Sequence, residues 1–182
     1  MQSFSLLRKL DQFPFPYDLQ QKLKRTDNIT AFNNERTMIE VFVSKLFQLD
    51  PDLLIAHNLC GSAIEILLAR INYLKIQHWS RIGRMKRSMM PNRKADGNSG
   101  SWVPRQVSCG RLLVDTFLNA KELIRETSYE LGTLAKTQLK LGRTDYDEDM
   151  LPNLYKNSDR LLELVNHTEQ DALITYKLMM HL

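Results

Sequence analysis

Cysteine is nearly absent from this sequence: only Cys60 and Cys109 carry thiols, far apart and outside any paired motif. That excludes a fold organised around a disulfide framework and fits a reducing compartment, with a single bridge between the two left as the other reading. Together with His57 and His78 they lack the close spacing of zinc ligands, so a zinc site is excluded as well. No apolar run approaches the roughly 20 residues that a membrane-spanning helix needs. Residues 1–10 mix charges and serines without an apolar central stretch, so no secretory signal is read there. Prolines cluster early, and Phe13-Pro14-Phe15-Pro16-Tyr17 excludes a helix or a central strand at that point. Neither an internal repeat nor a low-complexity tract is present.

What is present is the composition of a soluble globular chain, 43% hydrophobic and 25% charged over 182 residues, enough for one domain over 1–182 but not two. The net charge of +4 conceals an asymmetry. Between Arg70 and Arg111 ten Lys and Arg residues face one acid, Asp96, so this stretch carries +9 and the remainder −5. Such a stretch is either a contact for a polyanion or a solvated charged excursion.

Periodicity predicts a helix over 35–49, with Met38, Phe42, Leu46 and Leu49 on one stripe, stopped by Asp50-Pro51. Leu53-Leu54-Ile55-Ala56 reads as a short strand buried on both faces. Ser62-Ala63-Ile64-Glu65 has the form of a capping box ahead of a helix carrying Ile64, Leu67, Leu68 and Ile71. Residues 77–110 lose periodicity and read as an exposed basic loop excursion. Leu112-Leu113-Val114 is a second buried strand, and a helical stretch follows from Ala120 to Glu126. Thr127-Ser128-Tyr129-Glu130 offers a second capping box, for a helix through Leu131, Leu134, Ala135 and Leu139. An acidic loop occupies 145–149, and a last helix covers 158–182. The order implies an α/β chain with a mostly parallel sheet of only two or three strands, either a truncated α/β unit or one that pairs with strands supplied elsewhere.

Several blocks then carry a resemblance: Glu35-Arg36-Thr37, Asp50 to Asn58, His78-Trp79-Ser80-Arg81-Ile82-Gly83-Arg84, Ser88-Met89-Met90-Pro91, Cys109-Gly110-Arg111 and Ala120-Lys121-Glu122-Leu123-Ile124-Arg125. Their order and spacing, from about Phe13 to Leu182, resemble the exonuclease-like domain of family B DNA polymerases, the alpha-type replicative members in particular. The resemblance implies an RNase H-like exonuclease-type fold, N-terminally truncated, because the strand bearing the family's first two carboxylates would precede Met1.

Proofreading members of the family use four carboxylates to hold two metal ions, since a hard divalent cation needs about six oxygen ligands. The second motif aligns with Asn58 to Ala63, which puts Ser62 at the aromatic position and Ala63 at the carboxylate position. Glu65 lies two residues further on and, as the start of a helix, points away from where Ala63 points. The third motif aligns with His167 to Asp171, with His167 at the tyrosine position and the aspartate retained. The resemblance therefore implies degenerate exonuclease positions at Ala63 and Asp171, no catalytic residue, no metal site and no cofactor in this chain. In the intact polymerase it implies Mg2+ and deoxynucleotides bound elsewhere.

Neither palm motif of the family appears; Thr144-Asp145-Tyr146-Asp147 is only an echo in an acidic loop. The expected role is a non-catalytic scaffold within a nuclear replicative polymerase that extends primers at replication initiation. Expected partners are template-primer DNA, the remaining polymerase domains, primase and accessory subunits, with no membrane. Arg81, Arg84, Lys86, Arg87, Arg93 and Lys94 are the candidate phosphate contacts, with Trp79 and Trp102 available for stacking. The competing readings are a residual metal-dependent 3′–5′ exonuclease and an independent basic nucleic-acid-binding module.

Overall fold

The computed structural model of the chain describes residues 3–24, 26, 28–91 and 102–182. Two small parallel sheets appear. In the first, β1 (Ser5–Arg8) pairs with β2 (Ile29–Phe32), and the crossover between them carries the short helix α1 (Leu19–Leu23). In the second, β3 (Leu53–Ala56) pairs with β4 (Leu112–Asp115) in the register Leu53 to Leu112 and Ala56 to Asp115. Helices and strands are thus mixed along the chain, and both sheets are parallel, as the α/β reading expects.

The helix α2 (Glu35–Leu49) begins where the Asn34 side chain accepts a hydrogen bond from the Arg36 amide at 3.0 Å. It ends at Asp50, whose φ of 41° cannot continue the helix, and Pro51 follows. Ile39 and Val43, one turn apart, are buried. They meet Ile64, Leu68 and Ile71 from α3 (Ile64–Tyr73), which forms the largest apolar cluster. Ile64, Leu68 and Ile71 recur at the helical repeat, so one stripe of α3 faces inward.

After α4 (Trp102–Val107) and β4 come α5 (Thr116–Leu123), α6 (Leu131–Gln138), α7 (Leu151–Leu154) and the long α8 (Ser158–His181). The last helix joins the molecule, packing on β1, β3 and α6. Leu161 and Val165 enter a cluster with Leu7, Leu19 and Ile29, while Leu178 enters another with Ala120 and Leu134. Full burial of each such Leu contributes about 1.5–3 kcal/mol. Asn157 caps α8 by accepting from the Asp159 amide at 2.9 Å.

Several sequence expectations change. The strands β1 and β2 are absent from the sequence reading; Ser-Leu-Leu-Arg and Ile-Thr-Ala-Phe mix their apolar residues with polar ones and so lack the apolar run that marks β3 and β4. The capping box read at Thr127 does not form. A π-helical turn, Leu59–Ala63, precedes α3, so Ala63 holds its cap position; the Ser62 side chain lies outside what is described. At α6 the cap residue is Glu130, without a side-chain bond, and Ser128 Oγ accepts from the Glu130 amide at 3.3 Å. The helix placed at Ala120–Glu126 starts at Thr116 and stops at Leu123. Finally, the 77–110 stretch is not wholly exposed. Trp79, Ile82 and Val107 are buried in the α2–α3 cluster. Arg93 and Lys94 lie outside the described residues.

Candidate functional site

The C-terminal ends of β3 and β4 lie side by side, where parallel α/β folds place their ligand sites. Asp115 closes β4 with its side chain buried, 5% exposed, and organises this corner. One carboxylate oxygen accepts from the Asn58 amide at 2.8 Å and the Phe117 amide at 3.1 Å; the other accepts from the Cys60 amide at 2.8 Å. A single carboxylate thereby fixes the turn after β3 and caps α5. Asn58 sits at φ 56°, and a Cβ at Gly61 would lie 2.1 Å from Asn58 Oδ1, so a larger residue there would force the Asn58 side chain to move.

Next to it, His57 Nδ1 lies 2.9 Å from Thr116 Oγ1, and the ring stands edge-on to Phe117. Burial pushes the His57 imidazole below its ordinary pKa, against the opposing charge of Asp115. Burial and then the same charge push the Cys60 thiol up, which leaves it a poor nucleophile.

A cleft of about 980 Å³ opens beside this corner, walled by His57, Asn58 and Phe117 on one side and by the α6 residues with Lys140–Arg143 and Asp145 on the other. The aspartate retained at the third-motif position, Asp171, takes two parallel hydrogen bonds from Arg143, Nε to Oδ1 at 2.7 Å and Nη2 to Oδ2 at 2.8 Å. Arg143 also pairs with Asp145. His167 Nδ1 lies 3.6 Å from Asp171. Ala63, which the resemblance puts at the second-motif carboxylate position, is exposed. Among the described residues no three His, Cys, Asp or Glu side chains converge on a point that could hold a metal ion. Around Ala63 and Asp171 the described side chains do not gather the several anionic oxygens that a two-metal centre needs on one spot.

The basic residues divide sharply. Arg84 is a structural tie: Nε bonds Asp50 at 2.9 Å, Nη2 bonds Asp52 at 2.6 Å and the Asp50 carbonyl at 3.0 Å, and Nη1 bonds the Gly110 carbonyl at 3.1 Å. Arg87 bonds Gln106, and its other Nη lies 3.5 Å from Cys109 Sγ. Arg81 lies over the Phe47 ring, 5.0 Å from its centroid. Lys86 is exposed. Arg111 is buried and bonds the Ile82 carbonyl at 3.1 Å, the Pro51 carbonyl and Asp50. Much of the positive charge therefore closes the base of the excursion against α2 and β3. Sequence reasoning missed this because the acids, Asp50 and Asp52, lie outside the basic stretch. It missed Arg143 likewise, 28 positions from its partner.

A model of the exonuclease domain of DNA polymerase family B matches residues 4–134. Over its whole length the chain is 60% identical to the DNA polymerase alpha catalytic subunit of Oxytricha trifallax, of which it spans 12%. To the protein of that name from Xenopus laevis it is 38% identical over 98% of the chain, again 12% of the relative. To that from Arabidopsis thaliana it is 41% identical over 82% of the chain, 10% of the relative.

Proposed function

The chain belongs to the exonuclease-domain family of the family B DNA polymerases, and from that premise we propose that it is a non-catalytic scaffold segment of a replicative polymerase. The observation that carries this reading is the engagement of Asp171 by Arg143, with Ala63 at the other family position. A carboxylate already neutralised by a bidentate guanidinium is a poor ligand, and one carboxylate cannot supply two divalent ions. On this reading the fold is RNase H-like, and the two parallel pairs are parts of one sheet completed by further strands. The whole enzyme, by similarity to DNA polymerase alpha catalytic subunits, synthesises DNA with Mg2+ bound outside this segment. It extends primers at replication initiation in the nucleus, with template-primer, primase and accessory subunits as partners. Among the described residues no helix is long and apolar enough to cross a membrane.

The DNA-contact role narrows on this geometry. Of the six candidates, Arg84 and Arg87 are engaged within the protein and Arg81 lies over Phe47, so Lys86 is the described residue we propose for phosphate contact, with Arg93 and Lys94 beyond what is described.

Incubation of the purified chain with labelled single-stranded DNA and Mg2+ or Mn2+ tests the main reading. It predicts no shortening of the strand. Cleavage that disappears in Asp171→Ala would establish the residual exonuclease instead.

A further inference from the structure

The two positions of the degenerate third motif, His167 and Asp171, lie one turn apart on α8 and reach the same short segment. Lys140, in a left-handed conformation at φ 55°, ends the α6 region, and the Leu141 amide bonds back to the Ala135 carbonyl at 3.0 Å. The chain then runs along α8 and is gripped from it three times in four residues. Arg143 lays its fork on the Asp171 carboxylate. His167 Nε2 meets the Thr144 carbonyl oxygen. The Tyr146 ring stands edge-on to the His167 ring, centroids 4.8 Å apart at 89°. The side chains of Arg143 and Asp171 are only 21% and 24% exposed, so solvent screens this pair less than an open surface ion pair. Residues of this segment form one wall of the cleft beside His57.

We propose that the third motif of this chain is a latch: Asp171 and His167 fasten residues 140–146 as a fixed wall of the cleft. The Arg143 guanidinium takes the counter-charge place that a cation would take at the carboxylate. This deepens the non-nucleolytic reading and rests on it. A carboxylate on a half-buried helix face is costly without a partner, and a guanidinium offers both charge and two parallel donors in one plane. The pairing with Arg143 gives Asp171 a structural role that needs no metal. The same two side chains explain why the wall is made by this segment, since both face it from one turn of α8.

Hydrogen exchange of the 182-residue chain in EDTA tests the latch, comparing wild type with Asp171→Asn, Arg143→Met and the exchanged pair Arg143→Asp with Asp171→Arg. The amides of 141–146 are expected to exchange about tenfold faster in both single variants, as local opening is released. The amides of α2 keep their rates, and the exchanged pair recovers protection in the segment. Unchanged rates at 141–146 in the single variants would overturn the proposal. So would an acceleration spread equally through α2, which marks general destabilisation, or an exchanged pair no better protected than either single variant. His167→Ala is expected to accelerate 144–146 alone, and rates at 144–146 equal to wild type would overturn its share of the latch. Adding Mn2+ separates the two levels. A Mn2+-induced change at 141–146 that Asp171→Asn abolishes would overturn the counter-charge role and the reading beneath it, while the metal-free rates still judge the latch.

Discussion

Asp115 shows what one buried acid does when it is fully used. Its two oxygens serve three backbone amides from two segments, so the turn after β3 and the start of α5 share one anchor. Asp115→Ala leaves those amides without acceptors at a buried corner. Each unmade bond costs about 1–3 kcal/mol before relaxation, so a loss of about 3 kcal/mol in denaturant unfolding is expected. Asp115→Asn, which keeps one oxygen, loses less. Glu35 plays a comparable part where β1, α2 and α3 meet, bonded by Arg8 at 2.8 Å and by Arg70. The hydrogen bond from Arg70 lowers the Glu35 pKa below 4.5, against a smaller opposing effect of burial. A depressed folded-state pKa contributes stability that is complete above the unfolded value and is lost as pH falls through the folded value. Glu35→Gln is therefore expected to lower stability by about 1–2 kcal/mol at neutral pH. Its disadvantage shrinks below pH 4.5, which paired thermal melts across that range would measure. An undiminished gap at the acid end would count against this assignment.

At the scale of elements, the excursion is closed at its base by residues from both of its ends. The Arg84 amide bonds the Cys109 carbonyl at 2.8 Å, and Gly83 and Gly110 approach their neighbours so closely that a Cβ would lie 2.6 Å and 2.8 Å from the nearest atoms. Gly110 also holds φ at 89°, a conformation that disfavours side chains. Two neighbouring cations should consequently separate by experiment. Arg84→Ala is expected to lower the melting temperature by releasing Asp50, Asp52 and the Gly110 carbonyl, whereas Lys86→Ala leaves it unchanged. If the excursion touches DNA, Lys86→Ala weakens salt-dependent binding to a labelled duplex without loss of fold. Equal melting temperatures for the two variants would refute the structural role of Arg84. The sequence made α2, α3, α8 and the two apolar strands β3 and β4 visible in position, but the strands are less buried than read: β3 is half-buried throughout and Leu112 is 66% exposed. It hid β1 and β2 because Ser5–Arg8 and Ile29–Phe32 mix polar with apolar residues and lack an apolar run like that of β3 or β4. The capping signal at Thr127 misled because it competes with a local alternative, the Ser128 hydroxyl accepting from the Glu130 amide. The basic stretch misled for another reason: charge counted along the chain does not reveal which acids fold back upon it.

For the whole molecule, α8 connects everything else. It packs against both parallel pairs and against α6, and it carries the two residues that hold the cleft wall. The candidate site was legible only in outline, since the alignment of motif residues located Ala63 and Asp171 but could not reveal Arg143 as the partner. The central claim is that the Asp171 carboxylate belongs to Arg143 and is unavailable to a divalent ion. Calorimetric titration of the metal-free chain with Mn2+ addresses this directly, with Asp171→Asn as the reference. No saturable heat beyond that of the variant is expected at about millimolar metal or below, because the Asp171 carboxylate is already paired with a guanidinium. Saturable binding by the wild-type chain that Asp171→Asn abolishes would contradict it.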